Sequence, residues 1–438
     1  MAFEYLPHLS EFDPKETSEG TIDPLGLYSI ADALGTKLAP GIRERQDHPR
    51  FLTAVAAGLV ICARFPEDAI AKDEVSEPWQ VFEWFVVEGL VRAAETSKEI
   101  IGIPGRGKVE DAIKDKVHLT AKRYLKTPGT FGFHGVYRAL AKELGVDHGG
   151  QLGEFGARLL TSWQDEQGLN GFFTGNHGRG KTLKDELSSA VEDGLKSGAA
   201  NRSSGWAGWQ SIKSFFSPYS FGKKEANVMS AALTSPEADF RRQLLTFIAS
   251  TDGQRVWRKD RSERQLHRAL RAKASADLKQ LINAIDVYEE FSRLLQDAFD
   301  DCLVEMTLKK ARTSMKEMAI LEGVTKAQKN VSGKFSQISD KLLPLSLSEQ
   351  FERTFASFAR KQSAEDWVET LFEHHKTIQS QKPPNGKLPW CEKVDANSFI
   401  VRPNYRSEER PRFDDSYLHG YRGFSLWSFA KDLRLVRE

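Results

Sequence analysis

The chain has 438 residues, 40% hydrophobic and 28% charged, which suits two to four folded domains and excludes a disordered or fibrous polymer. The longest apolar stretch, residues 51–65, is interrupted by Arg64 and too short to span a bilayer, and the acidic N-terminus lacks the basic start of a signal peptide. The net charge of +1 conceals an asymmetry, because the first 100 residues hold about 9 basic against about 18 acidic side chains and the remainder carries the basic excess, a distribution compatible with a polyanion partner.

Residues 1–23 read as a polar lead-in. Residues 1–104 form an acidic N-terminal region with three helical patterns, at 26–38, 49–65 and 78–96. Pro40-Gly41 ends the first. In the third, Val81, Phe82, Phe85, Val86 and Leu90 recur at helical spacing, which places Trp79 and Trp84 in the core rather than at a ligand. Residues 100–108 read as a turn or linker. Cys62, Cys302 and Cys391 are odd in number and far apart, with no disulfide framework and no zinc spacing, as expected in a reducing cytosol.

Residues 105–224 are expected to form a basic domain. Within it, ALAKELGV (139–146) has the pattern of the first helix and turn of a helix-turn-helix unit. Ala141 would pack on the second helix, and Gly145 would take the left-handed turn. Leu152, Phe155, Leu159, Leu160 and Trp163 fall on one face of the helix that follows. His148-Gly149-Gly150 lengthens the turn, so the pattern is closer to a winged helix, with residues 168–175 as the wing. Arg106, Lys108, Lys122, Arg123, Lys126, Arg138, Lys142, Arg158, Arg179 and Lys181 supply cations for phosphate contacts that hold a DNA backbone without reading its sequence.

Residues 175–182, GNHGRGKT, match the phosphate-loop pattern. In such a loop Gly175 and Gly180 would free backbone N–H groups for phosphates, Lys181 would reach the terminal phosphates and Thr182 would hold Mg²⁺. The residues before it do not read as a buried strand, and no strand ending in a Walker-B Asp follows. A nucleotide hydrolase using ATP and Mg²⁺ is therefore the alternative reading, and a basic loop before a helix the simpler one. The Gly/Ser-rich segment 196–224 carries Trp206, Trp209, Phe215, Phe216 and Tyr219, which point to a loop or short helix on the core rather than disorder.

Residues 225–375 read as a helical body, with long patterns at 261–306 and 346–379 and a more open basic segment at 322–345. Residues 376–438 read as a C-terminal cap. Asp395-Ala396-Asn397 would turn a hairpin into a strand at 399–403, and the aromatic tail 417–433 would dock on the body. Lys382, Lys387, Trp390, Arg402, Tyr405, Arg406, Arg410 and Arg412 interleave cations with aromatics, the pattern of a surface that stacks bases and holds phosphates. The competing reading buries the Trp and Tyr into the helical body.

Two acid or imidazole clusters invite a metal. Adjacent His374 and His375 point about 100° apart on a helix and do not share a face, which favours a structural role. Asp300, Asp301 and Glu305 lack the remaining residues of a nuclease pattern, which favours an ordinary helix face. No nucleophile elbow is present.

Segments 40–51, 130–145, 178–195 and 382–405 (PGIRERQDHPRF, TFGFHGVYRALAKELG, GRGKTLKDELSSAVEDGL and KPPNGKLPW with VRPNY) resemble uncharacterised bacterial proteins of phage-defence and DNA-modification gene clusters. The resemblance brings no catalytic motif and implies a partner-dependent role on DNA. The expected protein is mainly α-helical and multi-domain, with a winged-helix-like middle and a small C-terminal β-hairpin cap. It is expected to be a cytoplasmic, non-enzymatic subunit that binds double-stranded DNA and other subunits of its system, with no metal, no cofactor and no membrane contact. A helical scaffold binding only protein partners is the further alternative.

Overall fold

A computed structural model of the chain describes residues 23–92, 100–383, 385–411 and 413–436. The helices in chain order begin with α1 (Tyr28–Leu38), α2 (Phe51–Cys62), α3 (Pro78–Arg92), α4 (Arg106–Lys114), α5 (Pro128–Phe131) and α6 (Phe133–Glu143). A hairpin of β1 (Asp147–His148) and β2 (Gln151–Leu152) precedes α7 (Glu154–Gln167), α8 (Arg179–Ser197), α9 (Ala207–Phe216), α10 (Lys223–Leu233), α11 (Asp239–Ala249) and α12 (Thr251–Asp260). Then come α13 (Glu263–Arg271), α14 (Ala276–Lys309), β3 (Thr313–Ser314), α15 (Met315–Ala319), α16 (Glu322–Leu342), α17 (Ser348–Phe355), α18 (Ala364–Ser380), β4 (Cys391–Asp395), β5 (Ser398–Val401) and α19 (Gly423–Asp432). Among the described residues helices take 63% and strands 4%, so the fold is mainly α, as the periodicity predicts. Among the described residues, no helix is long and apolar enough to cross a membrane.

The chain forms two units, each assembled from separated segments. One takes the chain up to Gly35 together with Ser262–Tyr421, and the other takes Thr36–Arg261 together with the chain from Arg422.

The second unit is built on α2 and α3. Helix α2 is apolar nearly all round and buried on most sides, as such a helix must be. Gly58 lets the Phe82 ring approach so closely that a Cβ would meet it at 2.7 Å. Helix α3 is buried from Val81 to Val91, including Glu83. The Glu83 carboxylate accepts hydrogen bonds from Tyr124 Oη (2.7 Å) and the backbone N–H groups of Phe133 (2.9 Å) and His134 (2.8 Å). Burial lifts its pKa to about 7 against that pull. Arg50 and Glu225 form a fully buried ion pair at 2.9 Å.

Ala141 and Gly145 stand where the helix-turn-helix pattern predicts, Ala141 buried and Gly145 at φ +73°. The link between α6 and α7 is a two-residue hairpin, with Gly149 and Gly150 both at positive φ (+64° and +88°), the geometry of a type I′ turn. Residues 168–175, the expected wing, contain no strand. The element observed here is helix–hairpin–helix. As expected, 196–224 holds a short helix, α9, with Trp206 edge-on to Trp209 at 4.8 Å.

The first unit is built on the 34-residue α14 packed against α16. The pattern at 261–306 resolves into α13 and α14, capped by Ser262 and Ser275, whose hydroxyls accept the N–H groups of Gln265 and Leu278 at 3.4 Å. Segment 322–345 is not open: α16 buries Val324, Ala327, Val331, Phe335, Ile338 and Leu342, a helical stripe that its Lys, Ser and Gln content disguised. The expected hairpin is present as β4–β5, and β3 joins the far edge of β5 as an unanticipated third strand, with Thr313 opposite Phe399.

His374 and His375 are structural, as their helical spacing predicts. His374 Nε2 lies 2.9 Å from Leu25 O, and His375 Nδ1 2.8 Å from Pro24 O. His375 Nε2 accepts the Trp390 N–H at 2.8 Å, which fixes a neutral imidazole whose pKa burial depresses to about 4. The aromatic tail divides. Tyr417 and Tyr421 donate hydroxyls to Asp286 (2.8 Å) and Glu289 (2.7 Å) in the first unit, while α19 packs within the second.

Candidate nucleic-acid interface

A basic concave surface lies in the second unit, along α12. Helix α11 ends at Ala249, and Ser250 caps the next helix by accepting the Gly253 N–H at 3.2 Å. Gly253 makes the tight corner possible, since a Cβ there would collide with the Phe247 carbonyl oxygen. Trp257 is buried and anchors α12 to α19, with its ring 4.7 Å from Phe424 and 5.9 Å from Trp427. The anchored face thus turns the opposite one outward. Arg255, Arg258 and Lys259, at i, i+3 and i+4, form an exposed basic stripe.

A groove of about 950 Å³ runs beside that stripe, lined by Thr251, Gln254, Arg255, Arg258, Lys259 and Arg434 among others. Arg434 follows α19 in a left-handed turn (φ +59°), its N–H on Lys431 O at 3.0 Å and its Nη2 on Phe221 O at 3.2 Å. Four cations therefore share one concavity. Arg255 pairs with Asp252 at 2.9 Å while its side chain stays 75% exposed, a pair worth about 0–1 kcal/mol that a phosphate can displace. Thr251 and Gln254 add neutral polar groups.

The cations predicted from sequence are on the surface but dispersed. Lys108, Lys122, Arg123, Lys126, Arg138, Lys142, Arg158 and Arg179 are exposed. Arg138 and Lys142 share a face of α6 one turn apart, and their charge, after burial, helps hold the His134 pKa down. Arg158 lies 5.7 Å over the Phe155 ring and Arg179 5.0 Å over Phe215. Arg106 is half-buried, paired with Glu110 at 2.5 Å and bonded to Ile100 O at 3.2 Å.

Residues 175–182 comprise the end of the loop after α7 and the first turn of α8, so the segment follows a helix rather than a strand. The Gly180 N–H donates to Asn170 O at 2.9 Å, and a Cβ at Gly180 would collide with the Leu169 carbonyl. Gly175 and Gly178 take positive φ (+88° and +108°) to fold the loop back on residues 169–172. Lys181 pairs with Asp185, and the Thr182 hydroxyl lies 3.4 Å from Gly178 O as its donor. The glycines serve this closure.

In the first unit, Trp390 stacks on Tyr405 at 4.6 Å and 5° between planes, so the stacking face is engaged within the protein. Arg402 pairs with Glu392, and Lys387 is half-buried, its N–H on Gln379 O at 2.9 Å. Arg410 bridges Asp301 and Glu305, and Asp301 also accepts the Gly323 N–H at 3.0 Å at the start of α16. Those acids thus cap a helix and hold a loop, and they are far less solvated than a free helix face. Arg412 lies outside the described residues. Among the described residues no group of three or more His, Cys, Asp or Glu is arranged to hold a metal ion.

Sequence reasoning missed Arg255, Arg258, Lys259 and Arg434. The first three carried a readable signal, since Arg-x-x-Arg-Lys at helical spacing with Trp257 on the opposite side marks an anchored basic helix. Arg434 carried none. Comparison of the chain with family models, with curated proteins and with solved structures gives no match.

Proposed function

We propose that the protein is a non-enzymatic DNA-binding subunit that holds the phosphate backbone of a duplex in the α12 groove. The convergence of Arg255, Arg258, Lys259 and Arg434 on one concave surface carries this reading. Cations so placed replace condensed counterions on the duplex, and the released ions supply affinity without base reading. Arg138 and Lys142 on α6, and Lys122, Arg123 and Lys126, are further exposed cations of the same unit, available for phosphate contacts outside the groove. Membership of a bacterial defence or DNA-processing assembly, with other protein subunits as partners, follows from the resemblance of its segments to proteins of such gene clusters.

The test is fluorescence anisotropy of a labelled duplex at several salt concentrations. Four phosphate contacts give a slope of about −3.6 in log affinity against log salt. Reversing Arg258 and Lys259 to Glu should remove most of the affinity, whereas Arg138→Glu with Lys142→Glu should reduce it less. Absence of binding by the wild-type chain at about 50 mM salt, where backbone contacts are strong, refutes the proposal. Equal affinity of the Arg258→Glu/Lys259→Glu variant would refute the groove as its site.

A further inference from the structure

A second concavity, wholly within the first unit, has different chemistry. A cavity of about 310 Å³ opens between α14, α16 and the segment 413–416. That volume is at the small end of ligand pockets. Most of its charged lining is already matched: Glu290 pairs with Arg264 (2.8 Å) and Lys334 (2.5 Å), and Glu289 accepts from Tyr421 Oη and His419 Nδ1, each at 2.7 Å. Asp297 is the exception. Its side chain is 9% exposed, yet its nearest cation, Arg293, stands 3.8 Å away, beyond hydrogen-bonding distance. Beside it the cavity offers the Leu294 side chain and the Phe413 ring.

We propose that this cavity binds a small organic cation, an amine or amidine carried on an apolar body. The cation would bond Asp297, and the body would lie against Leu294 and Phe413. The ring already accepts a cation: Lys326 Nζ lies 4.6 Å over its centroid, held there in part by Glu322 at 2.6 Å. Burial pushes the Asp297 pKa up to about 6, with Arg293, Asp300, Asp414 and Lys326 the charges that face it. Such a desolvated carboxylate gains more from a charge-assisted bond than a solvated one does. Phe413 adopts φ +52°, and the residues after it are pinned by Arg293 Nη2 on Ser416 O and Tyr417 O, both at 3.1 Å, so the wall is preformed.

The test titrates the full chain with benzamidine and 2-phenylethylamine, with benzyl alcohol as the uncharged counterpart, by calorimetry. One saturable site is expected for the two cations and none for the alcohol. Asp297→Asn should weaken binding at least about tenfold, the equivalent of one charge-assisted bond. Lys326→Met, an exposed change that frees the ring, should tighten it, and this variant decides the matter if Asp297→Asn fails to fold. Benzyl alcohol binding as well as benzamidine, unchanged affinity in Asp297→Asn, or weaker affinity in Lys326→Met would overturn the proposal. So would no binding of either cation at about 10 mM, about ten times a 1 mM dissociation constant. The DNA titration reads a separate unit, so the two proposals fail independently.

Discussion

Removing Arg50 should unfold the second unit more readily than any surface change, and removing its partner as well should undo most of the damage. Arg50 and Glu225 are both 0% exposed and 2.9 Å apart. The pair is poorly aligned: Arg50 Nε has no partner, and Nη1 and Glu225 Oε2 face each other without hydrogen-bond geometry. Burial lowers the Arg50 pKa and raises that of Glu225, so both charges are held at a cost. Arg50→Met strands the carboxylate, which costs about 3–5 kcal/mol. Phe215 O loses the Arg50 Nη2 donor but keeps Trp163 Nε1 at 3.0 Å, so no acceptor is orphaned there.

The pH dependence has a definite sign. A carboxyl whose folded pKa is raised contributes stability below its ordinary value and loses it as pH rises through the folded value. Arg50→Met should therefore be less damaging at pH 5 than at pH 8. Arg50→Met with Glu225→Leu removes both buried charges and should recover the wild-type value to within about 1–2 kcal/mol, the remainder reflecting the Thr53 hydroxyl that Glu225 accepted at 2.5 Å. Urea unfolding followed by tryptophan fluorescence reads the right unit, because seven of the nine tryptophans belong to it. A double variant as unstable as the single one would refute the reasoning.

Three further outcomes are expected. His267 is fully buried with both ring nitrogens unpartnered, and burial depresses its pKa to about 3. Its contribution is present above the ordinary pKa of 6.5 and lost as pH falls toward 3, so His267→Leu should gain about 2 kcal/mol on the wild type at pH 5, read by denaturant midpoints at two pH values. Gly253→Ala should cost about 1–3 kcal/mol through collision with the Phe247 carbonyl and weaken duplex binding by displacing α12; wild-type stability would contradict the tight corner. Lys181→Ala removes only an exposed pair with Asp185 and should shift stability by less than about 1 kcal/mol. Calorimetry with Mg²⁺-ATP checks it, and an affinity present in the wild type and lost in the variant would restore the phosphate-loop reading.

The helices and their buried faces were legible because periodicity is a local property. Val81 to Leu90 in α3 and the turn at 395–397 each show in a window of ten or so residues. The same locality made His374 and His375 readable as structural, since helical geometry alone separates their side chains. Where composition masks periodicity the reading failed: the Lys, Ser and Gln of α16 hid a buried stripe from Val324 to Leu342.

What the sequence determined by itself, then, is a mainly helical chain with a C-terminal hairpin and a basic excess after residue 100. Tertiary structure alone decided which distant segments meet. It placed Pro24 and Leu25 on α18, added β3 to β5, and assembled two discontinuous units where the sequence suggested breaks near 104, 224 and 375. It brought Arg434 beside α12, and it folded the exposed GNHGRGKT loop back on residues 169–172 by spending the Gly180 amide on Asn170. Each of these depends on contacts between residues far apart in the chain, where the free energy lies in burial and hydrogen-bond satisfaction that no local pattern encodes.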